Sequence, residues 1–550
     1  MLKFRAYTLA LLCTLLLLVS CSAPAVACDQ NNSHSAGWVW QGGGNTVGPL
    51  LYNASVYGTQ GVPAAANVPG SRYYAQSWSV SNGNSCWHDS KGNLWLFGGD
   101  GYDGNGQFGL LSDLWVFSPS LGKNGEWTWV GGSTLNGQPG VYGTLGQPAA
   151  ANHPGARGFS QTWTDSDGRL WLFGGYGVDA VGNSEDLNDL WVFDPSIGRH
   201  GEWAWMGGNN IGGGTSVYGT LGKLAATNVP GWREEAVTWT DRNGNLWLFG
   251  GNGVDAVGNQ GSLNDLWKFD LSRGCGHYGE WVWMGGSTTV GNNSGQSGVY
   301  GTLGVPAAAN IPGGRANLVS WTDNNGKLWL FGGYGVDADG NWGILNDLWV
   351  FDPSLGKLGE WAWIGGSNSL GSSFGLPGVY GTQGEPAAAN IPGGRLNPVS
   401  WTDNDGNLWL FGGYGLDANG NSGELNDLWK FDPERGRNGE WTWVDGSSSA
   451  ESDAPVYGTL GVEAAANTPG GHSSAVSWTD PSGNLWLFGG LGISANNGEQ
   501  ILNDLWEYKL SGEPEQQGGP QGGGGQPGCG GQQGGGQQGG GGQQGGSGCK

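Results

Sequence analysis

Along the chain, short apolar runs recur at regular intervals between glycine-rich polar stretches. The run Leu170-Trp171-Leu172-Phe173 shows no polar alternation, the pattern of a strand buried on both faces. Its copies place tryptophan at Trp95, Trp171, Trp247, Trp329, Trp409 and Trp486, a repeat of 76 to 82 residues. Three further apolar segments accompany each copy; in the second unit they carry Trp163, Trp191 and the pair Trp203/Trp205. Four short strands in each of six units predict an all-β, six-bladed propeller. The first two strands are joined by segments such as Asn325-Gly326 and Asp405-Gly406, which supply the left-handed residues of a tight hairpin, so neighbouring strands run antiparallel. A Trp-x-Trp strand stands at Trp38/Trp40, ahead of the first unit, and none follows Trp506. The N-terminal strand is therefore expected to complete blade six and to close a ring over residues 37–510, leaving no open sheet edge.

Composition fits strands and tight turns. The chain has 114 glycines and 33 tryptophans, with charged residues at 12%. Five framework positions in six units account for 30 of those tryptophans, which reads them as blade-packing core and leaves Trp87, Trp232 and Trp342 outside the pattern. The net charge of −24 repels phosphate backbones, so no nucleic acid partner is expected.

The two ends differ from the repeats. Residues 1–20 read as a signal peptide, with Lys3 and Arg5 ahead of an apolar run from Ala6 to Val19 that is too short to span a membrane. Leu18-Val19-Ser20-Cys21 resembles a bacterial lipobox, which would lipidate Cys21; Ala25-Val26-Ala27 offers ordinary cleavage near residue 27. Both readings place the protein outside the cytoplasm, either secreted or held as a cell-surface or outer-membrane lipoprotein whose lipid is its one contact with a membrane. Residues 511–550 are Gly, Gln and Pro with almost nothing to bury, the composition of a disordered tail. The cysteines lack metal-ligand spacing; Cys28 with Cys86 and Cys529 with Cys549 are open pairings, and Cys275 is left over.

The second strand of every unit ends in a diglycine: Gly98-Gly99, Gly174-Gly175, Gly250-Gly251, Gly332-Gly333, Gly412-Gly413 and Gly489-Gly490. With the aromatic third strand ending in Asp-Pro, as at Asp194-Pro195 and Asp352-Pro353, and the tryptophan of the fourth strand, the chain resembles the Kelch-repeat propellers. That resemblance implies a propeller of the galactose-oxidase-like superfamily. The chain departs from it in the connection between the fourth strand and the next first strand, where an insert such as Val141 to Pro154 lengthens each unit.

In a four-stranded meander the second-to-third and fourth-to-first connections share one rim, and both are long here, so a binding surface is expected on that rim. The candidates placed there are Tyr176, Tyr334 and Tyr414 behind the diglycines, and Trp232 and Trp342 in the long loops. Arg72, Arg157, Arg233, Arg315 and Arg395 head the first strands, with His472 in the sixth. A ring of guanidinium groups suits an anionic ligand; the competing reading pairs each with an acid such as Asp113 or Asp189. Asp337, Asp339 and Asn341 have the alternate-residue oxygen spacing of a calcium loop but lack its distant glutamate, and Asp and Asn favour turns in any case.

These features point to a monomeric binding or interaction module for a protein or glycan ligand, with no cofactor unless calcium is bound. A carbohydrate-active enzyme of galactose-oxidase-like or sialidase-like type and a structural surface protein are the alternatives. Near-identical blades favour repeated binding, because an active site needs unlike groups from different blades.

Overall fold

Each apolar run forms a strand, and the six four-stranded meanders stand around one axis as a six-bladed β-propeller. The computed structural model describes residues 36–45, 52–80, 92–272, 279–291, 294–450, 454–495 and 498–510. The signal segment with Cys21, the other cysteines, Trp87 and the 511–550 tail lie outside them. Blade two shows the pattern: Gln161–Thr164 innermost, then Leu170–Val178, Ser184–Asp194 and Glu202–Gly207 at the outside. Leu170, Trp171, Leu172 and Phe173 are buried on both faces, as the unbroken apolar run requires. Six hydrophobic clusters fill the spaces between neighbouring blades; in one, Trp78 and Phe97 of blade one meet Trp191 and Trp203 of blade two.

Closure is by the N-terminal strand, Gly37–Gly42, which lies antiparallel to the last strand, Glu499–Lys509. Trp38 faces Tyr508 and Trp40 faces Trp506 across this pair. Hydrogen bonds between blades also close on themselves. Trp78 Nε1 donates to the carbonyl of Trp171 in the next blade at 3.0 Å. The bond recurs at Trp163, Trp239, Trp321 and Trp401, until Trp478 returns it to Trp95 at 3.1 Å. A second cycle lines the channel: the hydroxyls of Thr162, Thr238, Ser320, Ser400, Ser477 and Ser77 each donate to the carbonyl of the preceding blade's equivalent residue. The diglycine is also a blade contact. Gly174 has φ +62°, and a Cβ there would come within 2.9 Å of the Arg233 carbonyl oxygen of the next blade.

One buried aspartate organises each blade. In blade two Asp189 receives Arg157 through Nη1 at 2.7 Å and Nη2 at 2.8 Å, the Tyr142 hydroxyl at 2.6 Å and Trp191 Nε1 at 2.7 Å. Asp113, Asp265, Asp347 and Asp427 repeat this in their blades, with Arg72, Arg233, Arg315 and Arg395 as partners. Blade six differs: His472 stands in place of arginine, its Nε2 3.6 Å from Asp504 Oδ1, and neither atom has a hydrogen-bond partner although both residues are buried.

The long insert does not stay on the rim as a loop. From its tyrosine it runs along the outer strand of the following blade: Gly146 N donates to Trp205 O at 2.7 Å, and Asn152 Nδ2 to Trp203 O at 3.1 Å. It is a strap that covers the exposed edge of the fourth strand, where unpaired carbonyls would otherwise face solvent. Its tip meets the next blade too, since Gly61 lies against His200 and Gly461 against Asn124.

Three outcomes follow. Removing residues 29–35 should leave the melting temperature unchanged, whereas removing 37–41 should lower it by unpairing blade six; equal melting of the two chains would refute N-terminal closure. His472→Arg supplies the missing donors to Asp504, and chemical denaturation should show a gain of about 1–3 kcal/mol. Glu507, on the closing strand pair, accepts from Gln41 Nε2 and Asn484 Nδ2, and burial pushes its carboxyl up from 4.5 to about 7. A raised carboxyl pKa means that its contribution is full below about pH 4.5 and is lost as the pH rises through about 7. The melting temperature should therefore drop between pH 6 and pH 8, and drop less in Glu507→Gln.

Candidate functional site at the mouth of the channel

Between each arginine and the main part of the first strand, the chain kinks through one residue of positive φ. These are Tyr74 (51°), Phe159 (61°), Glu235 (57°), Asn317 (59°), Asn397 (48°) and Ser474 (54°). The kink turns N–H and C=O along the circumference, so each amide donates to the carbonyl of the preceding blade. Phe159 bonds Tyr74, Glu235 bonds Phe159, and so on at 2.9–3.2 Å until Tyr74 N reaches Ser474 O at 3.1 Å. The result is a closed collar of six backbone hydrogen bonds at one mouth of the channel. Five residue types fill its six positions, with asparagine at both Asn317 and Asn397, and the residues just before them (Tyr73, Gly158, Glu234, Ala316, Leu396, Ser473) differ in every blade, while the tryptophan six places after each arginine or His472 never changes. The side chains around the axis thus vary on a repeating backbone frame.

On blade one these variable positions are aromatic and form a continuous row. Tyr52 stacks on Tyr102 at 4.1 Å with the rings 7° apart; Phe108 lies 5.3 Å from Tyr102 and 6.5 Å from Tyr73. Tyr73 meets Tyr74 at 5.0 Å, and Tyr74 meets Phe159 of blade two at 3.9 Å. Phe108 is 47% exposed and the others are half-buried. The Tyr74 hydroxyl accepts from Asn397 Nδ2 of blade five at 3.0 Å, so this ring reaches across the mouth, and burial raises its pKa to about 12.

The opposite flank of the row is carboxylic. Burial, with the charge of Glu234 added, pushes Glu235 up to about 7. Glu234 accepts from Asn252 Nδ2 at 3.3 Å and is raised by burial and by Asp186. Between blades five and six, Glu424 accepts from Ser473 Oγ at 3.1 Å and is likewise raised by burial to about 7. Asn317 Oδ1 is buried without a hydrogen-bond partner. Near neutral pH the carboxyls of Glu235 and Glu424 can donate as well as accept. The six arms from the diglycines to the third strands contain no Lys or Arg.

The residues singled out from sequence fall in three places. Arg72, Arg157, Arg233, Arg315 and Arg395 are at most 1% exposed and hold the blade aspartates, so their guanidinium groups are engaged inside the blades. Trp232, 7% exposed, is buried. Tyr176 and Tyr414 are exposed on their arms, and Tyr334 meets Trp342 at 5.5 Å and the exposed Phe374 at 5.9 Å on blade four. Asp337 caps a turn: its Oδ1 accepts from the amides of Asp339 and Asn341, and its Oδ2 from Leu370 N and Asn341 Nδ2. Asp339 accepts from Ser369 Oγ. Among the described residues no three His, Cys, Asp or Glu side chains stand together as a metal-binding group.

The aromatic row and the collar were not singled out from sequence. The signal was available in the two positions after each arginine, which vary between a constant Pro-Gly and a constant tryptophan. Grooves of about 620 and 690 Å³ lie elsewhere, on the outer wall between straps, lined by Trp361 with Ala307–Ile311 and by Trp127 with Ala64–Val68. They are the same seam repeated, the second bordered by Tyr52 at the outer end of the aromatic row.

Comparison with protein-family models and with curated proteins gives no match. Among solved structures the chain is similar to one described as "Structure of YjhT", at 15% identity over 82% of this chain and 96% of that one, with a TM-score of 0.41. It is also similar to a novel fungal alcohol oxidase with catalytic diversity among the AA5 family, in complex with copper, at 13% identity over 82% of this chain and 77% of that one, with a TM-score of 0.37. Likenesses this distant lend no function to the chain, and its reading rests on its own residues.

Proposed function

We propose that this chain is an extracytoplasmic, Kelch-like binding module that takes a protein or glycan ligand at the collared mouth of its channel. One observation carries the reading: around the mouth, the two positions after each repeated arginine or His472 carry different side chains on a closed ring of identical backbone hydrogen bonds. A frame that keeps its packing residues constant and varies the groups around its axis has the form of a scaffold presenting a site. The Kelch-like assignment rests on the diglycines and the aromatic third strands, and the extracytoplasmic one on the signal segment and Cys21. If the lipobox is used, a lipid on Cys21 tethers the propeller through residues 22–36.

The collar permits a direct test, because asparagine already occupies two of its positive-φ positions. The variant carrying Tyr74→Asn, Phe159→Asn and Glu235→Asn should fold and should lose the binding that the wild-type chain shows on a printed array of glycans and secreted proteins. Val141→Ser and Val299→Ser, on exposed strap positions, should retain it. Binding kept by the collar variant and lost by the strap variants would move the site to the outer wall.

A further inference from the structure

Resting on the mouth as the binding face, we infer that blade one is a docking strip for a glycan chain free of acidic groups, running inward along Phe108 and Tyr73 to end against Tyr74, Phe159, Glu235 and Asn317. Three observations lead there. First, the tyrosines of the row are peculiar to one blade, while Phe108 has Trp342 in its place on blade four. The places of Tyr52, Tyr102 and Tyr73 hold Gly137, Val178 and Gly158 in blade two, and Gly295, Val336 and Ala316 in blade four. Ring packing between blades does not require it, since the blade cores are complete without these side chains.

Second, its chemistry is amphipathic in the manner of a sugar. Pyranose rings offer apolar C–H faces that pack on aromatic rings and a circumference of hydroxyls that need hydrogen-bond partners. Phe108 offers open apolar surface, and the tyrosine hydroxyls lie along the same row. At the inner end Asn317 Oδ1 has no partner and Glu235 titrates near 7, so an acceptor and a group that both donates and accepts wait at the collar. A peptide would make its main-chain bonds to a free strand edge, and the arms of blade one are already paired with each other and with Arg72–Tyr73.

Third, the charge of the site sets its selectivity. Asp100, Glu234 and Glu235 surround the row, the arms carry no Lys or Arg, and all five repeated arginines are bound to aspartates inside the blades. Among the described residues neither the collar nor the arms carry a Lys or Arg to neutralise a uronate, sialate or sulfate, and the chain's charge of −24 repels them.

The test is the intact chain on an array of neutral, amine-bearing and acidic glycans, followed by calorimetry with the best-bound neutral oligosaccharide. Neutral or amine-bearing glycans should bind and acidic ones should not. Phe108→Ala and Tyr73→Ala should each weaken binding about tenfold with melting temperatures unchanged, and Tyr334→Ala on blade four should leave affinity as it was. Strongest binding to acidic glycans, or no glycan binding together with capture of a protein at the mouth, overturns the inference while the mouth stands as the binding face. Loss with Tyr334→Ala and not with Phe108→Ala moves the strip to blade four and overturns it as well. Glycan binding that survives both these variants and the triple collar variant overturns the mouth reading itself.

Discussion

The buried carboxylate at the centre of each blade holds together three parts of the chain that would otherwise have no reason to meet. Asp189 joins the innermost strand through Arg157, the strap through Tyr142 and its own strand through Trp191. A charge this deep is costly alone and tolerable only with its partners in place, and removing one partner of a buried pair typically costs about 3–5 kcal/mol. The strap is thereby fixed to the blade it enters. The arginine also holds the carbonyl of Gly174, so the node sets the position of the diglycine and hence of the next blade. Collar and arms inherit their geometry from it.

Much of this was legible in the chain. Six tryptophan-centred runs gave the blade number, and the position of Trp38/Trp40 ahead of the first unit gave the closing strand that pairs with Glu499–Lys509. The pairing of Arg72 with Asp113 and of Arg157 with Asp189 was one of two readings open from spacing, and burial decides between them. The strap was harder to read. A loop of some 25 residues has no apolar periodicity to show that it will lie along a strand edge, because its bonds to Trp203 and Trp205 are made by backbone and by Asn152. The collar was hidden for a related reason: positive φ at Tyr74, Phe159 and Glu235 is imposed by the ring, against the preference of those residues.

Repetition and function divide the chain between them. The tryptophans, the node and the channel hydroxyls recur because each blade must offer its neighbours the same surfaces. Side chains outside those shared surfaces are free to differ, and some of them sit at the mouth, where Tyr74 can touch Asn397 two blades away. Sixfold packing and an asymmetric site are therefore compatible in one ring.

The collar also limits the alphabet available to that site. Each of its six residues must hold a left-handed backbone so that its amide and carbonyl stay in the circle, a strain of order 1–3 kcal/mol for most side chains that the surrounding blades sustain. Asparagine sits there most easily, aromatic and acidic side chains are accommodated, and β-branched residues are shut out because their second Cβ substituent crowds the backbone in this region. Specificity at the mouth can drift between polar, acidic and aromatic without disturbing the ring, but never through valine, isoleucine or threonine.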